Sequence, residues 1–278
     1  MHAASLESFT APRIHPTAMR FGSPSAFLVP TAPPRHWNFG FTGDWKPLGP
    51  PPRLEARYSV GVARTPSHLE AARELMRARY EWRGYATDAA QDEPAGVTLI
   101  ASELGRVAAT VTVGGDTPGG LAVESLYSEE VAKLRKDGAR LCEFTRLAVD
   151  GAGDSLKLLG ALFHVAYLCA RRQHKATHLL VEVNPRHVRF YMRMLGFRVA
   201  GPQRTCQRVD APAVMLSLSL DHAEDQIATY GGRPELAQTN RSLYPYFFAA
   251  YAEDSIYARL AGTEPTGYRW GRPAPLAA

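Results

Sequence analysis

From Tyr58 onward the chain alternates short apolar runs with longer stretches of helical periodicity. A short strand is predicted over Ser59–Ala63. Ser67, with Glu70 three residues on, forms a capping box for a helix running to Trp82. That helix carries Leu69, Ala72, Leu75, Met76 and Tyr80 on one face. Val97–Ser102 and Arg106–Val113 read as two strands of a hairpin, followed by a loop over Gly114–Gly120. Ser128–Lys136 reads as a short helix stopped by Gly138. A long strand follows over Ala139–Val149. Asp154 or Ser155 caps an apolar helix reaching His174, and His178–Val183 is a strand. Pro185 stands in the first turn of a helix that ends at Leu195 and Gly196. Strands over Phe197–Ala200 and Ala213–Leu220 precede helical stretches near Asp221–Thr229 and Tyr244–Leu260.

This order gives an α/β chain with a mixed sheet flanked by helices. The unit 139–183 is expected to be a parallel, right-handed strand–helix–strand crossover. Three regions emerge: a proline-rich extension over 1–57 expected to be poorly ordered, a folded domain over 58–220, and a helical C-terminal extension over 221–278. The tail's Tyr244, Tyr246, Phe247, Phe248 and Tyr251 imply that it packs against something, with capping of a tunnel in the folded domain or dimerisation both open.

Composition narrows the setting. The 278 residues are 45% hydrophobic and carry a net charge of +5. The three cysteines, Cys142, Cys169 and Cys206, have neither metal-ligand spacing nor the even number of a disulfide framework. No secretory leader is read at the N-terminus, and the apolar run Leu156–Ala170 is too short to span a bilayer. A cytoplasmic enzyme without a resident metal or cofactor is the expectation. The positive charge is concentrated: residues 171–208 hold nine Lys/Arg against Glu182 alone. An ordinary solvated face and an acidic partner both fit such a field. Nucleic acid is disfavoured, because no helix-turn-helix or zinc pattern is present and aromatics do not interleave with the basic residues.

The strand Leu141–Asp150 (LCEFTRLAVD) is the most informative stretch. It holds Glu143 and Arg146 inside an otherwise apolar run, and burying either charge is costly unless it is paired or functional. Ideal alternation puts Glu143 on one face with Leu141, Thr145 and Leu147, and Arg146 on the other. A β-bulge between them would re-aim one side chain. A structural ion pair remains the other reading.

The segment from Asn184 to Phe197 (NPRHVRFYMRMLGF) resembles the late segment of the GNAT superfamily. Together with the central strand and Val209–Leu216 (VDAPAVML), it is similar to the long-chain N-acyl amino acid synthases. These are related to the acyl-homoserine-lactone synthases, and the similarity covers Tyr58 to Leu220. The resemblance implies a GNAT-like fold and transfer of a long acyl chain from acyl carrier protein to an amino acid's α-amine. Tyr191 is then the tyrosine that protonates the departing thiolate, or a core or substrate-lining residue.

The segment Asp150–Ser155 (DGAGDS) lacks the Arg/Gln-x-x-Gly-x-Gly/Ala loop with which GNAT enzymes hold a pyrophosphate, and Asp150 and Asp154 are expected to repel one. That favours a phosphopantetheine-linked donor on an acidic carrier protein over acyl-CoA. Glu143 is expected to be the base that deprotonates the acceptor amine, with main-chain N–H groups near Leu147, Ala148 and Val149 polarising the thioester. Arg146 binds the acceptor carboxylate or a carboxylate of the fold. Phe144, Thr145, Phe163 and Asn184 are expected to line the substrate site. Leu162, Tyr167, Val107, Val111 and Val113 line an acyl tunnel or are plain core. Arg171, Arg172 and Lys175, with Arg186, Arg189 and Arg193, are expected to dock the carrier. His164 reads as a satisfied core residue, and Cys142, with no His in its local sequence, does not read as a nucleophile. A lipid product leaves room for peripheral membrane contact. An acetyl-CoA-dependent N-acetyltransferase, a lactone-type synthase and a non-catalytic carrier- or lipid-binding module are the rivals.

Overall fold

A computed structural model describes residues 37–38, 58–85, 96–151 and 155–262. Most of the proline-rich extension therefore lies outside the described residues, as does Asp154. Within them a sheet runs in the order β1-β2-β3-β4-β5-β6-β9-β7, with β8 also pairing to β9. The strands are β1 (Trp37–Asn38), β2 (Tyr58–Val62), β3 (Val97–Glu103), β4 (Arg106–Gly115), β5 (Leu141–Val149), β6 (His178–Val183), β7 (Arg198–Val199), β8 (Arg204–Cys206) and β9 (Ala211–Ser219). The β3–β4 hairpin forms as predicted, and β5 and β6 pair in parallel.

Helices cover both faces because the central strands β4, β5, β6 and β9 bury residues on both. Helices α1 (Pro66–Glu81) and α2 (Glu124–Lys136) lie on one face. There Met76 of α1 packs with Ala148, and Val131 of α2 packs with Leu141, Leu180 and Met215. Helices α3 (Ser155–Leu168) and α4 (Pro185–Leu195) cover the other face, over Cys142, Phe144, Leu179, Val181 and Leu216. A π-turn over Cys169–Gln173 extends α3.

Two helix starts differ from expectation. The N-cap of α1 is Thr65, whose hydroxyl accepts the His68 N–H at 3.2 Å, and Pro66 takes the first helical position. Ser67 only touches the Thr65 hydroxyl, at 2.9 Å. The second helix begins at Glu124 rather than Ser128. A kink at Tyr127 (φ −130°) marks where the local pattern changes. The turn before the kink is organised by carboxylates rather than by local propensity: Glu124 accepts the Leu121 N–H at 2.7 Å, and Glu143 reaches it from the sheet. Strand β8, absent from the sequence reading, is a three-residue edge too short to show alternation.

The C-terminal segment is part of the main core. Helix α5 (Leu220–Tyr230) is followed by short turns and a four-residue helix, α6 (Ala237–Asn240), and the described residues end just after α7 (Glu253–Ala261). Leu243, Tyr244, Phe247, Ile256 and Leu260 bury themselves with α3. His164 of α3, fully buried, pins this segment: its Nδ1 accepts the Phe248 N–H at 3.0 Å and its Nε2 meets Glu253 at 3.3 Å. Phe247 and Phe248 stack on the same ring. Gly160, one turn earlier, faces Tyr246 so closely that an added Cβ would stand 2.7 Å from the tyrosine Cβ.

Candidate active site

The two central strands part in mid-sheet. Pairing of β5 with β6 runs from Leu141↔His178 to Phe144↔Val181 and stops. Beyond that point β5 continues to Val149 against β4 alone, and β6 continues to Val183 against β9 alone. Main-chain groups of Thr145–Val149 thus face an opening on one side, as expected for a strand that binds an extended substrate by its edge.

At the mouth of this opening β5 contains an extra residue. Thr112 pairs with Thr145 but Thr110 pairs with Ala148, so three steps on β5 match two on β4. Arg146 absorbs the surplus at φ +55°, a left-handed conformation. Such a bulge shifts alternation by one residue. It turns Ala148 onto the α1 face, where it packs with Met76, whereas unbroken alternation would have placed it opposite Thr145. The expectation that Leu147 shares a face with Glu143 and Thr145 therefore fails past the bulge.

Glu143 sits one position before the strands part and is 5% exposed. Its Oε1 accepts the Ala122 N–H at 2.8 Å and its Oε2 accepts the Val123 N–H at 3.0 Å. These are orphan donors of the α2 N-terminus, which favours a negative charge. Burial nevertheless dominates and raises the pKa above its ordinary 4.5, against the pull of the two amides. The carboxylate is thus buried, oriented and poised to hold a proton.

Tyrosines stand around the opening. Tyr80, near the end of α1, has its hydroxyl pKa pushed up to about 12 by burial, with the Arg146 charge pulling the other way. Tyr191 of α4 is buried, and burial raises its pKa as well. Its ring meets Phe163 edge-on at 6.4 Å, and Phe163 stacks on Phe144 at 6.2 Å. Both hydroxyls therefore stay protonated in the neutral range. Arg208 meets Glu182 of β6 at 3.0 Å.

The remaining expected residues fall as follows. Asn184 is the N-cap of α4, its Oδ1 accepting the Arg186 N–H at 3.2 Å. Leu162, Val111 and Val113 are fully buried core, whereas Val107 packs on the opposite face. Cys142 is buried and its thiol pushed far up by that burial, which removes it as a nucleophile. Arg171 bonds Asp221 and Glu224 of α5, and Arg172 bonds Glu253 and Asp254 of α7. Those two guanidiniums are neutralised inside the chain. Lys175, Arg186, Arg189 and Arg193 are exposed.

Asp150 is likewise neutralised, by Arg79 of α1 and Arg106 of β4, so it does not present the free negative charge the sequence suggested. Tyr80, on which the Arg146 charge acts, and Glu182 and Arg208, whose charges act on Glu143, were not singled out as candidate site residues by the sequence. Tyr80 was legible only as the last apolar-face position of α1, and Glu182 only as the single acid in a basic segment.

An open sheet whose central parallel strands separate beside a bulge, with helices on both faces, is a GNAT-like fold. A family model described as N-acyl amino acid synthase FeeM matches residues 71–219, more than half of the chain, and the chain belongs to that family. The structure of FeeM, an N-acyl amino acid synthase from uncultured soil microbes, is similar at 28% identity and a TM-score of 0.54. That match covers 59% of this chain and 93% of FeeM. The acyl-homoserine-lactone synthase LasI matches at 14% identity and a TM-score of 0.40, over 59% of this chain and 89% of its own. An acyl-CoA N-acyltransferase from Pseudomonas aeruginosa matches at 16% identity and a TM-score of 0.42, over 58% and 98%. No curated protein matches. No helix among the described residues is long and apolar enough to cross a membrane.

Proposed function

We propose that the protein transfers a long-chain acyl group from the phosphopantetheine arm of an acyl carrier protein to the α-amine of an amino acid. The observation that carries this reading is the opening between β5 and β6 beside a buried carboxylate with a raised pKa. Membership of the N-acyl amino acid synthase family supports the amino-acid acceptor and the amide product. The missing pyrophosphate loop motif supports a donor without a nucleotide, although Asp150, being paired, no longer adds to that argument.

In this reading Glu143 accepts a proton from the acceptor ammonium, and each of its oxygens keeps a lone pair beyond its backbone bond. The free amine attacks the thioester carbonyl, whose oxygen is polarised by β5 main-chain N–H groups near Leu147–Val149. The C–N bond forms, the C–S bond breaks, the pantetheine thiolate takes a proton from the Tyr191 hydroxyl, and the tyrosinate regains one from the second proton that the new amide nitrogen gives up. Arg146 positions the acceptor, and Phe144, Thr145 and Phe163 line the path of the acyl chain. The carrier docks on the exposed basic residues Lys175, Arg189 and Arg193 rather than on Arg171 and Arg172.

The test offers purified protein a matched acyl chain on carrier protein and on coenzyme A, with a mixture of amino acids, and reads products by mass spectrometry. An N-acyl amino acid formed faster from the carrier-bound donor is expected. Faster transfer from coenzyme A rejects the carrier. Absence of amide from both donors rejects the activity.

A further inference from the structure

Beyond the opening, where α1 ends and α4 begins, two arginines converge on one imidazole. Arg83 Nη1 lies 3.1 Å from His187 Nε2, and Arg186 Nε donates to the same nitrogen at 3.3 Å. Nε2 accepts from both, which places the ring proton on Nδ1. Arg186 Nη2 also donates to the Tyr85 hydroxyl at 2.6 Å, leaving the tyrosine's own O–H free to donate. Among the described residues neither guanidinium has a carboxylate partner, in contrast to Arg79, Arg106, Arg135, Arg171, Arg172, Arg204 and Arg208.

Like charges held this close are unfavourable unless an anion joins them. The molecule shows that cost. Burial and then the Arg186 charge lower the Arg83 pKa. His187 is brought down to about 4 by burial and by both arginines. A neutral imidazole is a weak counterweight to two cations. The cluster also adjoins the N-terminus of the eleven-residue α4, whose dipole favours negative charge, although Asn184 already accepts the Arg186 and His187 N–H groups. The donors converge in the way that arginine forks bind carboxylate and phosphate oxygens. Asn184, which caps α4, directly follows the free end of β6, so the cluster borders the opening.

We propose that Arg83, Arg186 and Tyr85 hold an oxyanion of a substrate, either the carboxylate of the amino-acid half or the phosphate of the phosphopantetheine arm. This rests on the acyltransfer reading for the identity of the oxyanion, and on the cluster alone for its existence. Where the oxyanion is the carboxylate, this cluster and not Arg146 binds it; where it is the phosphate, Arg146 keeps the acceptor.

Two pairs of probes test it by isothermal titration on the full chain: N-dodecanoylglycine against its amide, and 4′-phosphopantetheine against pantetheine. In one pair the anionic member is expected to bind at least about tenfold more tightly, and Arg83→Gln or Arg186→Gln should cut that preference below about threefold. Binding should also raise the His187 pKa followed by NMR, because the anion offsets both guanidiniums. A preference in the first pair assigns the carboxylate, and one in the second assigns the phosphate. No preference in either pair, or one that survives both substitutions in folded protein, overturns the site. Anion preference without amide synthesis would sink the proposed function and leave the site standing. Amide synthesis with KM unchanged in both variants would do the reverse.

Discussion

The Glu143 carboxylate accepts the Val123 N–H at 3.0 Å, joining the centre of the sheet to the first turn of α2. A second bond to Ala122 completes the pair, so the residue proposed as the base also anchors a helix. The two roles separate by substitution. Glu143→Gln keeps the shape and one acceptor oxygen, and acyl transfer should fall by about 10²–10⁴-fold if it is the general base. Retention of about a tenth of the activity with the same pH profile would exclude that role. Glu143→Ala should in addition lower stability by about 1–3 kcal/mol for each amide left without a partner.

The same residue predicts a pH dependence of stability. Its folded pKa lies above 4.5, so the unfolded chain ionises first as pH rises. Stability contributed by the protonated form is therefore present below 4.5 and is lost between that value and the folded pKa. Glu143→Gln does not suffer this loss. Urea denaturation from about pH 4 to about pH 7 should show the variant gaining on the parent as pH rises. A constant difference would mean that the carboxyl titrates alike in both states.

Arg146 allows backbone and side chain to be told apart. Its left-handed φ costs a residue with a Cβ about 1–2 kcal/mol and costs glycine little. Arg146→Gly and Arg146→Ala both remove the guanidinium, but the glycine variant should be the more stable by about 1 kcal/mol. Both should lose activity to a similar extent if the charge matters. Equal stability would show that the bulge relaxes when the arginine is gone.

At Gly160 the prediction is steric. Alanine there would meet the Tyr246 side chain at 2.7 Å and its carbonyl oxygen at 3.0 Å, forcing the C-terminal segment off α3. A loss of about 1–3 kcal/mol is expected in thermal or chemical denaturation. An unchanged midpoint would mean that the segment packs loosely.

Glu253 gives the opposite sign to Glu143. Burial raises its pKa, but hydrogen bonds from His164 and Arg172 outweigh it and leave the value below 4.5. Its contribution is present above 4.5 and fades as pH falls through the folded value. Glu253→Gln should thus destabilise at neutral pH and converge with the parent in acid. Parallel curves would argue against the ion pair.

Much of the framework was legible because it is local. The run His178–Val183 and the Pro185–Leu195 helix with its Gly196 stop carry their boundaries in their own residues, and the structure returns both as read. The start of α2 was not, because Glu143 arranges that turn from a strand twenty residues away in sequence. The bulge was foreseen as a possibility, yet nothing in the strand says which residue adopts positive φ. Pairing defeated the charge reading: Arg171, Arg172 and Asp150 look free in sequence and are neutralised by partners from remote segments. The Arg83–Arg186 cluster escaped notice because its members are 103 positions apart and Arg83 lies in no motif.

The segment held by His164 bears on how this protein can be cut. The family match ends at residue 219, yet Leu243, Tyr244, Phe247, Ile256 and Leu260 share the core of α3. A fragment trimmed to the family boundary would leave the outer side of α3 wet, with His164 deprived of both partners and Arg171 and Arg172 stripped of their acids. Such a fragment should collect in inclusion bodies, whereas one ending near Gly262 should remain in solution.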